Sequence, residues 1–120
     1  MAGMVRVESD ERPERPLELV VLSTWGERLR GLLGTGPDAR AVMLLRCPSV
    51  HTFGMTYPID VALVGELGEV LLVRREVPPR EVVSHPEACC AIERPASGGP
   101  WPEEGEHLWV SALSVGTSVL

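Results

Sequence analysis

The sequence predicts a mainly β fold, a small antiparallel β-sandwich or barrel closed by one principal α-helix. One stretch, Trp25 to Leu33, carries apolar residues at helical spacing. Five short apolar runs follow it, separated by Gly, Pro and acidic residues, as strands are. The chain of 120 residues, 44% of them apolar, is the size of one domain able to bury its own core.

Residues 1–16 read as a mobile, charged N-terminal segment, and 17–120 as a single β-rich domain. The first residues lack the apolar core of a signal peptide and carry acids from Glu8 onward. No later run is long enough to span a bilayer, so a soluble, cytoplasmic protein is expected. Leu17 to Leu22 is the first strand candidate. Thr24 and Glu27 then have the spacing of a capping box, which starts a helix. Trp25, Leu29, Leu32 and Leu33 form its apolar stripe, and Gly34 with Gly36-Pro37 stops it. Gly26 and Gly31 are poor helix formers, so packing must hold this helix, and Gly31 gives room for another backbone. Strands are expected at Ala41 to Arg46, Ile59 to Val64, Glu69 to Val77, Ala88 to Ile92 and His107 to Val115. Gly65-Glu66-Leu67-Gly68 is a hairpin connection. The runs at 41–46 and 59–64 are apolar throughout and should be covered on both sides. His107 to Val115 alternates and should have unlike faces. Ala96 to Gly105 is a loop.

Charge and cysteine content bound the function. With 11 basic against 17 acidic residues the net charge is −6, which disfavours a nucleic-acid or anionic-membrane surface. All the basic residues are Arg, and they form no stripe. Three Cys, with Cys89 and Cys90 adjacent, fit free thiols in a reducing compartment rather than a disulfide framework.

Unusual side chains concentrate between Cys47 and Asp60, a Gly/Pro-broken segment holding the only Phe and the only Tyr. Here a site is expected. Cys47 and His51 are zinc-ligand types, but their spacing and the adjacency of Cys89 and Cys90 argue against a metal site, and no cofactor is expected. Cys47, His51 and Asp60 could serve as nucleophile, base and orienting acid. No nucleophile turn or Gly-rich oxyanion loop accompanies them, however. Asp60 opens an apolar strand, where a carboxylate accepts backbone N–H bonds or pairs with an Arg from the helix. Phe53 and Met55 read as packing residues. His51, Tyr57 and Trp101 have polar tips on apolar bodies and are the candidate ligand-binding residues. His51 and Tyr57 are placed at an accessible cleft, with Phe53, Met55 and Asp60 holding the segment from beneath. Three functions fit: a non-catalytic binding or accessory domain with a cleft beside residues 51–60, a small enzyme using Cys47, His51 and Asp60, or a structural partner in a larger assembly. The first is preferred, with an unknown small molecule or protein as partner.

From about Leu17 to Leu113 the chain resembles the bacterial and archaeal family called domain of unknown function 192, or uncharacterised protein family 0127. The resemblance rests on Glu27-Arg28-Leu29-Arg30-Gly31-Leu32-Leu33, on Phe53-Gly54-Met55 followed by Pro58-Ile59-Asp60, and on Glu93-Arg94-Pro95-Ala96 before Gly105-Glu106. The family's common form has Trp, Lys and Asn where this chain has Gly54, Thr56 and Tyr57, and Gly where Ser97 stands. The resemblance implies a small β-rich sandwich or barrel with one helix. It implies no activity. Arg30, Gly31, Phe53, Gly54, Met55, Pro58 and Asp60 are carried by it as structural motif residues.

Overall fold

The computed structural model of the protein describes residues 3–114. Among these residues nine strands and one helix follow one another as β1 (Met4–Ser9), β2 (Leu17–Leu22), α1 (Trp25–Arg30), β3 (Val42–Leu45), β4 (Ser49–His51), β5 (Ile59–Gly65), β6 (Val70–Val77), β7 (Val82–Ser84), β8 (Ala88–Pro95) and β9 (Leu108–Ser114). Seven strands form one sheet in the order β6-β5-β8-β3-β2-β1-β9, and β4 pairs with β7 in a small ribbon.

The large sheet is mixed rather than wholly antiparallel: β2 and β3 run parallel while its other ladders are antiparallel. The cause is α1 and the turns after it, which return the chain to the starting end of β2, the crossover a parallel pair requires. The two-residue alternation of the strands then divides the core in two. On one face Val42, Leu44, Ile59, Val61, Leu63 and Ala91 pack with Leu32, Val50, Met55 and Val83 from the helix side and the ribbon. On the other, Leu19, Met43, Ala62, Val64 and Ile92 pack with Val5, Val7 and Trp101. β5 is buried along its whole length and β3 nearly so, as their unbroken apolar runs require.

Val5 and Val7 share one core cluster with Ala62 and Val64 of β5 and Val70 of β6, so the sheet curls to bring β1 and its far end around the same core. It stops short of a barrel. The edge strands β6 and β9 meet only at one end, through the Glu69–His107 bridge and the bonds Val70 N–H to Glu106 O and Leu108 N–H to Gly68 O, both 2.8 Å. Gly68, at φ +87°, closes the Gly65–Gly68 hairpin turn that joins β5 to β6 and offers its carbonyl to β9.

Three further expectations are corrected. Met4–Ser9 lies within the segment read as mobile, yet it pairs with β2 on one side and β9 on the other and buries Val5, Val7 and Ser9. Its alternation of Val with Arg and Glu is a strand pattern that the charged run after it obscured. Arg12 ties that run down, with 2.6 Å bonds to Trp101 O and Glu106 Oε2. The helix begins at its capping box, Thr24 with Glu27, but is only six residues long and buries none of them. Trp25 and Leu29 are 73% and 57% exposed, so only the Leu32–Leu33 half of the stripe reaches the core. Gly31, at φ +50°, breaks the helix before the stripe completes its second turn. β9 exposes both of its faces over most of its length, because it sits at the sheet edge. Among the described residues no helix is long and apolar enough to cross a membrane.

Candidate functional site

Strand alternation places Glu93 on the same face of β8 as Ala91, toward the helix, and Arg94 on the opposite face. Glu93 pairs through its backbone with Val42 and Val61 in the middle of the sheet and is 4% exposed. Its carboxyl forms the floor of a cavity of about 190 Å³ between α1 and β4. Leu32, Leu33 and Met55 are its apolar walls, and Trp25, Leu29, Cys47 and His51 stand around it. Gly31 keeps the floor open. A Cβ there would lie 3.1 Å from Glu93 Oε1, so any side chain would crowd the carboxylate. The close approach expected at Gly31 is thus made by a side chain and not by a backbone.

Arg28 and Arg30 line the same cavity, yet neither forms an ion pair with Glu93. The Arg28 guanidinium is held instead by Leu45 O at 3.3 Å and Arg46 O at 2.9 Å. Burial without a counter-charge raises the Glu93 pKa from 4.5 to about 7, against a smaller opposing pull from the Leu32 N–H. Burial likewise raises the Cys47 thiol, which donates to Ser49 O at 3.1 Å, and pushes Cys90 up to about 12. All three thiols are free. Among the described residues no group of three His, Cys, Asp or Glu side chains converges as metal ligands.

Cys47, His51 and Asp60 are not brought together. Cys47 packs on the helix-side face, whereas Asp60 points to the other. There Asp60 is fully buried, accepting from Arg94 Nε at 2.9 Å and from the Glu76 N–H at 3.0 Å. Both kinds of partner expected for it are present, but the Arg comes from β8 and not from the helix. The register shift opposite Asp60 explains the second bond: Ile59 pairs with Val77 and Val61 with Arg74. The extra residue leaves the Glu76 N–H outside the ladder, where the carboxylate collects it.

The three candidate ligand-binding residues also separate. His51 is exposed at the helix cavity, its ring 6.0 Å from that of Phe53. Tyr57 is half-buried, its hydroxyl 2.6 Å from Thr35 Oγ1, and it packs against the core. Trp101 is 2% exposed on the opposite face, with the Arg94 guanidinium 4.5 Å from its ring centre. Tyr57 does not line the cavity that His51 borders. Phe53, expected beneath the segment, is 51% exposed, while Met55 is buried as expected. Gly54 takes φ +88°, and a Cβ on it would come within 2.9 Å of Leu33. Pro58 accepts from the Ala96 N–H at 3.1 Å, closing the end of the β5–β8 pair. Arg30 is exposed.

Two residues escaped the sequence reading. Thr52, fully buried, donates to Pro78 O at 2.7 Å and accepts from the Glu81 N–H at 2.8 Å, anchoring the segment. Glu93 was seen only as part of a motif, because the strand was ended at Ile92. Continuing the alternation from Ala91 would have placed its carboxyl inward.

No known family profile matches the chain, and no curated protein matches it. Two solved structures resemble it. A protein of unknown function from Novosphingobium aromaticivorans is 15% identical with a TM-score of 0.67, covering 88% of this chain and 83% of its own. A Sinorhizobium meliloti protein described as a candidate transcription regulator is 16% identical with a TM-score of 0.68, covering 92% and 95%. At this identity the likeness is one of fold.

Proposed function

We propose that the protein is a non-catalytic binding domain whose ligand enters the cleft between α1 and β4, bordered by His51 and Met55. One observation carries this reading: Trp25 and Leu29 are held out to solvent around a cavity whose floor is a buried carboxyl. Large apolar side chains at the mouth of a concave site with one convergent polar group are what a ligand pocket needs. The capping box that sets the angle of α1 and the left-handed Gly31 that ends it serve to present these two residues. A covalent mechanism has less support. A thiol whose pKa burial raises is a poor nucleophile at neutral pH, and Asp60 is occupied on the far side of the sheet.

The same reading takes the chain as a divergent member of the domain of unknown function 192 family, cytoplasmic and binding a small molecule or protein rather than nucleic acid. Support for the family comes from Gly31, Gly54 and Asp60, motif positions with specific structural roles. Support for the partner class comes from the net charge of −6 and scattered Arg residues. Screening apolar fragments by amide chemical shifts tests the cleft. Fragments should perturb residues 29–33 and 93, and Trp25→Ala with Leu29→Ala should abolish this without lowering the melting temperature. Alkylation tests the chemistry. Cys47 should react no faster than exposed Cys89 at pH 7, and selective fast labelling of Cys47 would favour the enzyme reading.

A further inference from the structure

We propose that the α1–β4 cleft receives a primary ammonium group on a short apolar stem, with the Glu93 carboxylate as its counter-charge. The inference rests on the binding reading above. Glu93 is 4% exposed at the floor of an accessible cavity; beyond the Leu32 N–H, it receives no side-chain hydrogen bond and no ion pair among the described residues, although two guanidiniums line the same space. A buried carboxylate is costly unless paired and hydrogen-bonded. Here the protein holds its own cations away: Arg28 is fixed on two carbonyls of the β3 end, and Gly31 removes the side chain that would cover the acid. The acid either keeps its proton or takes a counter-charge from outside, and the open cavity in front of it gives a cation access.

The shape of the cavity narrows the class. About 190 Å³ is roughly six waters' worth of space, enough for a short alkyl stem between Leu32, Leu33 and Met55. A primary ammonium is a compact charge with three donors and can replace the hydrogen bonds that the carboxylate lacks. A quaternary ammonium offers no donor, and a guanidinium is a broad planar fork. Two sources carry this chemistry, a free alkylamine and a lysine side chain of a partner.

The test is an amide-shift titration at pH 8 with n-butylammonium, its neutral analogue n-butanol, tetramethylammonium and N-acetyl-lysine methylamide. Butylammonium or the lysine derivative should bind at least ten-fold more tightly than butanol, shifting residues 31–33 and 93. Tetramethylammonium should not compete. The isosteric Glu93→Gln should erase the preference and leave butanol binding as it was. Binding of butylammonium alone points to a free amine, and binding of the lysine derivative to a protein partner; either supports the proposal. Butanol binding as well as butylammonium, or a preference that survives Glu93→Gln, overturns it while leaving the cleft as an apolar binding site. Silence of every probe, butanol included, overturns both readings.

The wild-type protein supplies a second measurement if Glu93→Gln does not fold. Ammonium affinity should rise at least several-fold from pH 6 to pH 8 as Glu93 loses its proton, and a flat profile overturns the proposal. The charged or titratable groups facing the cavity are Arg28 and Arg30 of α1, Cys47, and His51 of β4. The arginines stay charged, and burial holds the Cys47 thiol protonated. Repeating the series in His51→Gln removes the fourth group from the comparison.

Discussion

A carboxyl whose folded pKa lies above its unfolded value binds its proton more tightly in the native state. Stability is then greatest below the unfolded value and is lost as pH rises through the folded one. For Glu93 that window runs from 4.5 to about 7, and the difference corresponds to about 3 kcal/mol. The wild-type melting temperature should therefore fall between pH 5 and pH 8 by more than that of Glu93→Gln, which should be the more stable of the two at pH 8. Equal slopes would show that Glu93 is not the buried acid described. Asp60 is the opposite case, a buried carboxylate with both partners supplied. Asp60→Ala strands Arg94 and the Glu76 N–H and should cost about 3–5 kcal/mol in chemical denaturation. Gly54→Val forces a β-branched residue to φ +88° against Leu33 and should cost about 1–3 kcal/mol; an unchanged denaturation midpoint would mean the turn relaxes freely. Composition made Asp60 and Gly54 legible, because an acid opening an apolar strand and a glycine breaking a cluster each announce a local requirement. Glu93 was not legible in that way. Its meaning depends on which face of β8 it takes and on a glycine 62 positions earlier (93 − 31).

At the level of elements, the capping box marked the start of α1, while periodicity overstated its length. A stripe counted from Trp25 to Leu33 assumes that every apolar residue on it is buried, and Trp25 and Leu29 are not. Their exposure separates two effects that substitution at a core helix would mix. Thr24→Ala removes the acceptor for the Glu27 N–H and should cost about 1 kcal/mol, seen as a lower melting temperature. Trp25→Ala should leave that temperature within experimental error. The long strands β5, β6 and β8 were legible because their apolar runs outlast any turn. β4 and β7 were not: three residues with one buried valine each carry too little pattern to register. They exist because Thr52 and the Val50–Val83 pairing hold the ribbon over the core.

On the scale of the molecule, mainly β architecture followed from strand count and composition, but closure did not, since it depends on register between strands far apart in sequence. The N-terminal strand decides how the sheet curls, and it was hidden next to a charged run. Among the described residues β1 is the only ladder partner of β9, and it contributes Val5 and Val7 to the core. A chain lacking residues 1–9 should consequently lose cooperative thermal unfolding and elute as aggregates in size-exclusion chromatography, whereas survival as a folded monomer would show that β1 is dispensable. The pairing of Met4 with Ser114 also governs the order of events in time. Joining strands more than 100 residues apart requires closing a loop of nearly the whole chain before the contact yields any stabilisation. Refolding belongs among the slow, high-contact-order cases, in milliseconds to seconds. During synthesis, the outer edge of β1 stays without its ladder until the last described strand has left the ribosome.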